Sequence, residues 1–148
     1  MKIIGIALLS LVIASAAFAQ CADVSTLSCP LSVVASSLSS NDCAAFDGSK
    51  FDQWQFTGTT GQTVTIQMSS MSFDTLLMLL DPTGRPVAQN DDASPTTTDS
   101  RLTYTIDMPG TWTVIANSLT ATGSGSYVIT ADLGCPIVAA PRRRSVAK

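Results

Sequence analysis

From Thr63 to Met68 apolar and polar residues alternate without a break: Val64, Ile66 and Met68 fall on one side, Thr63, Thr65 and Gln67 on the other. Only an extended chain, whose successive side chains point to opposite faces, puts that pattern to use, so the segment reads as a strand with one buried face. The same period recurs in Leu102, Tyr104 and Ile106, in Trp112, Val114 and Ala116, and in Tyr127, Ile129 and Ala131. Leu31 to Leu38 and Phe51 to Phe56 are further strand candidates, the second with Trp54 and Phe56 on one face. Leu76 to Leu80 is continuously apolar and too short for a helix, which predicts a central strand covered on both faces. Turn chemistry separates these runs at Gly58-Thr59-Thr60-Gly61, at Asp81-Pro82-Thr83-Gly84 before a return strand opening at Val87, and at Met108-Pro109-Gly110. Polar loops run from Asn90 to Ser100 and from Leu119 to Gly125. About seven or eight short strands at roughly ten-residue spacing predict an all-β fold, an antiparallel β-sandwich or barrel.

The N-terminus has the form of a secretion signal. Met1 and Lys2 precede an apolar run from Ile3 to Ala16, and Ala17-Phe18-Ala19 supplies the small-x-small pattern of signal peptidase. Residues 1–19 are therefore expected to be removed after Ala19, giving a secreted or periplasmic protein that starts at Gln20. The run falls short of the roughly 20 residues a membrane-spanning helix needs, and no later run reaches that length. Gln20, rather than a tiny residue, precedes Cys21, which argues against a lipid anchor there. In an exported chain the four cysteines, Cys21, Cys29, Cys43 and Cys135, read as disulfides. Three pairings are open. The sequence-local choice joins Cys21 to Cys29 and Cys43 to Cys135, worth about 2.5 and 4–5 kcal/mol in the chain-entropy picture. It implies a disulfide-closed N-terminal loop over residues 20–30, a sandwich over 31–135 and a flexible basic tail over 136–148.

Charge narrows the function. All eleven acidic residues are aspartates, and the chain has neither glutamate nor histidine. Between Gln20 and Pro141 they face only Lys50, Arg85 and Arg101, three bases against eleven acids and a net charge of −8. Phosphate contacts need clustered bases, so nucleic acid is excluded as a partner. Catalysis lacks a base: Asp74-Thr75 is followed by Leu76 rather than the glycine of an aspartic protease, and paired cysteines offer no thiolate. The chain is therefore expected not to be an enzyme. Asn90-Asp91-Asp92 is the candidate metal site, since adjacent carboxylates beside an amide suit calcium as cofactor. A solvated loop whose aspartates cap turns is the competing reading, and Asp74 is a candidate third ligand or a turn acceptor. Trp54, Tyr104, Trp112 and Tyr127 alternate with polar residues, which places them in a core rather than on a ligand platform. Arg142-Arg143-Arg144 reads as a solvated tail.

Several segments, taken in order, resemble the bacterial pre-peptidase C-terminal domain. They are Phe51-Asp52-Gln53-Trp54-Gln55-Phe56, Gly61-Gln62-Thr63-Val64-Thr65-Ile66, Phe73-Asp74-Thr75 leading to Asp81-Pro82-Thr83-Gly84, and Asn90-Asp91-Asp92. Ser100-Arg101-Leu102, Gly110-Thr111-Trp112-Thr113-Val114 and Gly125-Ser126-Tyr127 follow. The resemblance implies a jelly-roll-like β-sandwich of the kind attached to secreted peptidases, similar in fold to collagen-binding domains, some of which bind calcium. Ala93-Ser94-Pro95 stands where relatives often carry glycines. The function expected is a noncatalytic module that binds or stabilises a secreted peptidase or an extracellular or envelope polymer. The alternative is a structural surface protein assembling through sheet edges or its basic tail, and a small hydrolase ranks third. An exposed aromatic strip would favour the first, an uncovered long edge strand the second, and a deep polar pocket the third.

Overall fold

The computed structural model describes residues 24–135; the expected signal peptide, Cys21 and the basic tail lie outside them. Ten strands follow one another: β1 Val24–Thr26, β2 Leu31–Leu38, β3 Cys43–Ala44, β4 Lys50–Gly58, β5 Thr63–Ser69, β6 Thr75–Leu80, β7 Pro86–Asn90, β8 Ser100–Thr105, β9 Gly110–Ser118 and β10 Gly125–Asp132. They form an all-β sandwich. One sheet has the order β1-β4-β9-β6-β7, with β3 added on β4, and the other the order β2-β10-β5-β8. Every pairing is antiparallel except that of β1 with β4. Among the described residues no helix is long and apolar enough to cross a membrane.

The alternating positions become the inner faces. Val64, Ile66 and Met68 of β5 and Tyr127, Ile129 and Ala131 of β10 meet Trp54 and Phe56 of β4, Leu77 and Leu79 of β6, and Trp112, Val114 and Ala116 of β9 in one core. Trp112 is fully buried and its indole nitrogen donates to the Met108 carbonyl at 3.2 Å. Trp54, Trp112 and Tyr127 thus serve the core, as their spacing predicts, and Tyr104 packs partly buried against it. The run Leu76 to Leu80 is covered on both sides, because a smaller cluster of Phe51, Leu80 and Ile115, with Cys43, Ala45 and Met78 against it, sits on the sheet's outer face. Glycine is obligatory where β9 begins: Gly110 has φ 143°, and a Cβ there would come within 2.8 Å of the Pro82 ring.

Two expectations are corrected. Residues 20–30 do not close on themselves: β1 pairs with β4 from Val24 opposite Gln53 to Thr26 opposite Gln55, and Leu27 is only 2 % exposed within the core. The sandwich therefore takes up the chain before Leu31. Cys43 does not pair with Cys135; the bridge is Cys29–Cys135, with Cα atoms 5.8 Å apart. The cause is local packing. The Leu133 N–H donates to the Pro30 carbonyl at 3.1 Å, so the chain leaving β10 passes directly beside Cys29. Cys43 is also disulfide-bonded.

Candidate functional site at the loop pole

Strand directions sort the loops between two ends. Because β4 runs antiparallel to β9 and β10 antiparallel to β2 and β5, the starts of β4, β6, β8 and β10 share one end with the finishes of β2, β5, β7 and β9. The loops 39–42, 45–49, 70–74, 91–99 and 119–124 gather there. Their contact is direct: a Cβ on Gly48 would touch Ala121, and one on Gly125 would overlap Ser72. The Leu119 N–H donates to the Asp74 carbonyl at 2.9 Å, and the Ser70 N–H to Asp99 Oδ1 at 3.3 Å.

This end is acidic. Asp42, Asp47, Asp74, Asp91, Asp92 and Asp99 all sit in its loops, against Lys50 and Arg101 at the adjoining strand ends. Several of these carboxylates hold loops in shape. Asp47 Oδ1 accepts from the Ser49 hydroxyl at 2.6 Å and the Ser49 N–H at 3.0 Å, and that hydroxyl bond chiefly holds its carboxyl below the ordinary range. Beneath the 91–99 loop, Thr75 Oγ1 and Ser100 Oγ lie 2.6 Å apart in the interior; Thr75 donates to the Thr98 carbonyl at 2.9 Å.

The predicted metal residues are here, but Asn90 is spent otherwise. Its Oδ1 accepts from the Arg101 N–H at 2.8 Å and its Nδ2 donates to the Asp92 carbonyl at 3.0 Å. Asp91 Oδ1 accepts from the Asp92 N–H at 3.1 Å, and both aspartates are exposed. Among the described residues no three acidic, histidine or cysteine side chains converge on a metal position. Asp74 is not the turn acceptor suggested by its place before Thr75: its Oδ1 is buried with no hydrogen-bond partner. Burial, then the charges of Asp92 and Asp91, push its carboxyl above the ordinary range.

Sequence reasoning missed the apolar residues on this pole. Phe46 is 99 % exposed and Met71 fully exposed, while Leu119 is more than a third exposed. Met71 overhangs a groove of about 390 Å³ lined by Ala35, Ser69, Ser72, Tyr127 and Val128 among others. No signal in the sequence separates such residues from core, since only the folded topology reveals that no second layer covers them.

Residues 50–118 match the bacterial pre-peptidase C-terminal domain. No curated protein matches the chain in sequence. Among solved structures, the periplasmic inhibitor of g-type lysozyme from Aeromonas hydrophila superposes with a TM-score of 0.57 at 10% identity, covering 74% of this chain and 95% of that one. The pre-peptidase C-terminal domain of collagenase from Bacillus anthracis gives 0.55 at 12% identity, with 74% and 94% covered. The Salmonella Typhimurium inhibitor of g-type lysozyme gives 0.51 at 13%, with 74% and 96% covered. At these identities the likeness is one of fold. The resemblance read from the ordered motifs is thus matched by the family model from β4 through β9: residues 50–118 are similar to the bacterial pre-peptidase C-terminal domain.

Proposed function

We propose that this protein is an exported, noncatalytic module that binds a protein partner through its loop pole. One observation carries the reading: two large apolar side chains, Phe46 and Met71, stand exposed on the same end of the sandwich as six aspartates. Burying each of them against a partner is worth about 1.5–3 kcal/mol. The carboxylates around them favour a basic surface and speed its approach. The fold neighbours fit this use, since two are inhibitors of a lysozyme and one is a domain of a collagenase. A chain with no histidine or glutamate has few means of general acid–base catalysis.

Titration calorimetry of the exported protein against a g-type lysozyme and against the peptidase domain of a bacterial collagenase tests this. A complex with one of them is expected, weakened at least about tenfold by Phe46→Ser with Met71→Ser and weakened further as salt rises. Binding indifferent to the double substitution, or substrate turnover by the module alone, overturns it.

A calcium role rests on Asp74. Its unpartnered oxygen and the two carboxylates that repel it form a place on this pole where a cation would relieve both desolvation and repulsion. Asp74, Asp91 and Asp92 are the ligands proposed, with Asn90 bracing the loop. They require the exposed 91–92 turn to close onto Asp74, so calcium is expected to bind weakly and to order that turn.

A further inference from the structure

We propose that β2 pairs antiparallel with β2 of a second copy of this chain, joining two four-stranded sheets into one about a two-fold axis. The two sheets have four edges, and three are guarded in the ways that keep edges from pairing, the one on β4 being covered only by the short β1 and the two-residue β3. β1 is only three residues long. β7 opens on Pro86, next to Arg85. β8 carries the exposed Arg101, whose N–H is taken by Asn90 Oδ1. β2 has no such device. It is eight residues long, Leu-Ser-Val-Val-Ala-Ser-Ser-Leu, without charge or proline, and pairs with β10 along its whole length with no bulge. Among the described residues nothing bonds to the backbone groups on its far side.

Side chains and charge both select a second copy in the antiparallel sense. Leu31 is 58 % exposed and Val33 65 %, and Val128 of β10 lies beside them opposite Ala35. When a strand pairs with its own copy about a two-fold axis, the residues opposite one another have numbers of the same parity, so each face meets itself. With Val34 on the axis, Val33 faces Ala35 of the second copy, Leu31 faces Ser37 and Ser32 faces Ser36, so no charge meets a charge. Leu31, Val33, Ala35 and Val128 of both copies then line up as one apolar strip. The antiparallel sense also sends the two acidic loop poles to opposite ends, whereas parallel pairing would crowd twelve aspartates at one end. Both poles stay open, so the pairing does not rest on the proposed function.

Sedimentation equilibrium of the full exported chain from roughly 1 to 300 micromolar, combined with amide hydrogen exchange, is the test. The mass is expected to approach double that of the monomer as concentration rises, with β2 amides gaining protection in step. Val33→Lys, at an exposed position, should weaken the pairing about tenfold or more, while Thr103→Lys on the opposite edge β8 leaves it unchanged. A monomer throughout overturns the proposal, as does a dimer that survives Val33→Lys. Protection of β2 that is independent of concentration overturns it too, since the edge would then be covered by the chain's own residues outside 24–135. The exchange measurement on the native chain remains decisive should Val33→Lys fail to fold.

Discussion

Removing one hydroxyl, in Tyr127→Phe, is expected to be costlier than its size suggests. Tyr127 lies in the core, and its hydroxyl accepts from Trp54 Nε1 at 3.0 Å and donates to Asp52 Oδ2 at 2.5 Å. Ser36 Oγ donates to the same carboxylate oxygen at 3.1 Å. One polar cluster therefore ties β4 of one sheet to β10 and β2 of the other. Burial first, and then the hydrogen bond to the Asp52 carboxylate, push the phenol well above its ordinary range. The substitution leaves the buried Trp54 N–H without its acceptor, at about 1–3 kcal/mol, and removes a hydrogen bond to a charged group, worth about 1.5–3 kcal/mol. Allowing for partial rehydration the total is roughly 2–4 kcal/mol, which lowers the melting temperature of a domain this size by about 8–16 °C. Tyr104→Phe is the control, because its hydroxyl reaches only the surface Asp107, at 3.4 Å, and its loss should shift melting by no more than about 2 °C. Thermal melting followed by circular dichroism reads both. If Tyr127→Phe melts within about 2 °C of the native protein, the cluster does not hold the sheets together and the reasoning fails.

Asp81 supplies a pH dependence. The Thr83 hydroxyl foremost, at 2.6 Å, with the Arg85 N–H and guanidinium and the Thr83 N–H, holds its carboxyl at about 2, below the ordinary 3.8. A lowered folded-state value gives stability that is present above about pH 4 and lost as pH falls through about 2; the loss should be about 2 kcal/mol in denaturant titrations and absent in Asp81→Asn. Replacing Cys29 and Cys135 by serine opens a loop of 106 residues, which the chain-entropy picture values at about 4.8 kcal/mol; a melting temperature lowered by less than about 5 °C would contradict a structural role for the bridge. Asp74 has the opposite sign from Asp81. Its raised folded-state value means that its charge opposes folding above pH 4, so Asp74→Asn should raise the melting temperature in chelator, and calcium should stabilise the native chain but not this variant. Equal melting of the native chain with calcium and with chelator removes the metal from the account.

Where burial follows a period of two, the sequence is legible. Thr63 to Met68, Trp112 to Ala116 and Tyr127 to Ala131 became strands with the expected inner faces, because alternation records which side meets the other sheet. β1 and β3 have three and two residues, too few to show a period, and β1 earns its place by parallel pairing with a strand 29 residues away in register. The disulfide partner of Cys135 was hidden for a related reason. The choice of nearest neighbours ignores Leu27, whose burial draws the chain across β4 and delivers Cys29 to the end of β10. At the loop pole, Asp91 and Asp92 stood out as adjacent acids. Asp99 shares their loop, but that Asp42, Asp47 and Asp74 join them is a matter of topology, since those loops are separated from theirs by whole strands. Phe46 and Met71 were illegible in principle: an apolar residue looks the same in sequence whether its neighbour is the core or a partner not yet bound.

Whether the loop pole is the binding surface is most directly read from amide hydrogen exchange of the exported protein alone and saturated with whichever secreted hydrolase it binds. New protection is expected in residues 45–49, 70–74 and 119–124, the loops around Phe46, Met71 and Leu119, with the opposite turns at 59–62 and 81–85 unchanged. Protection confined to those opposite turns, or to the outer faces of the sheets, would place the partner elsewhere and contradict the account.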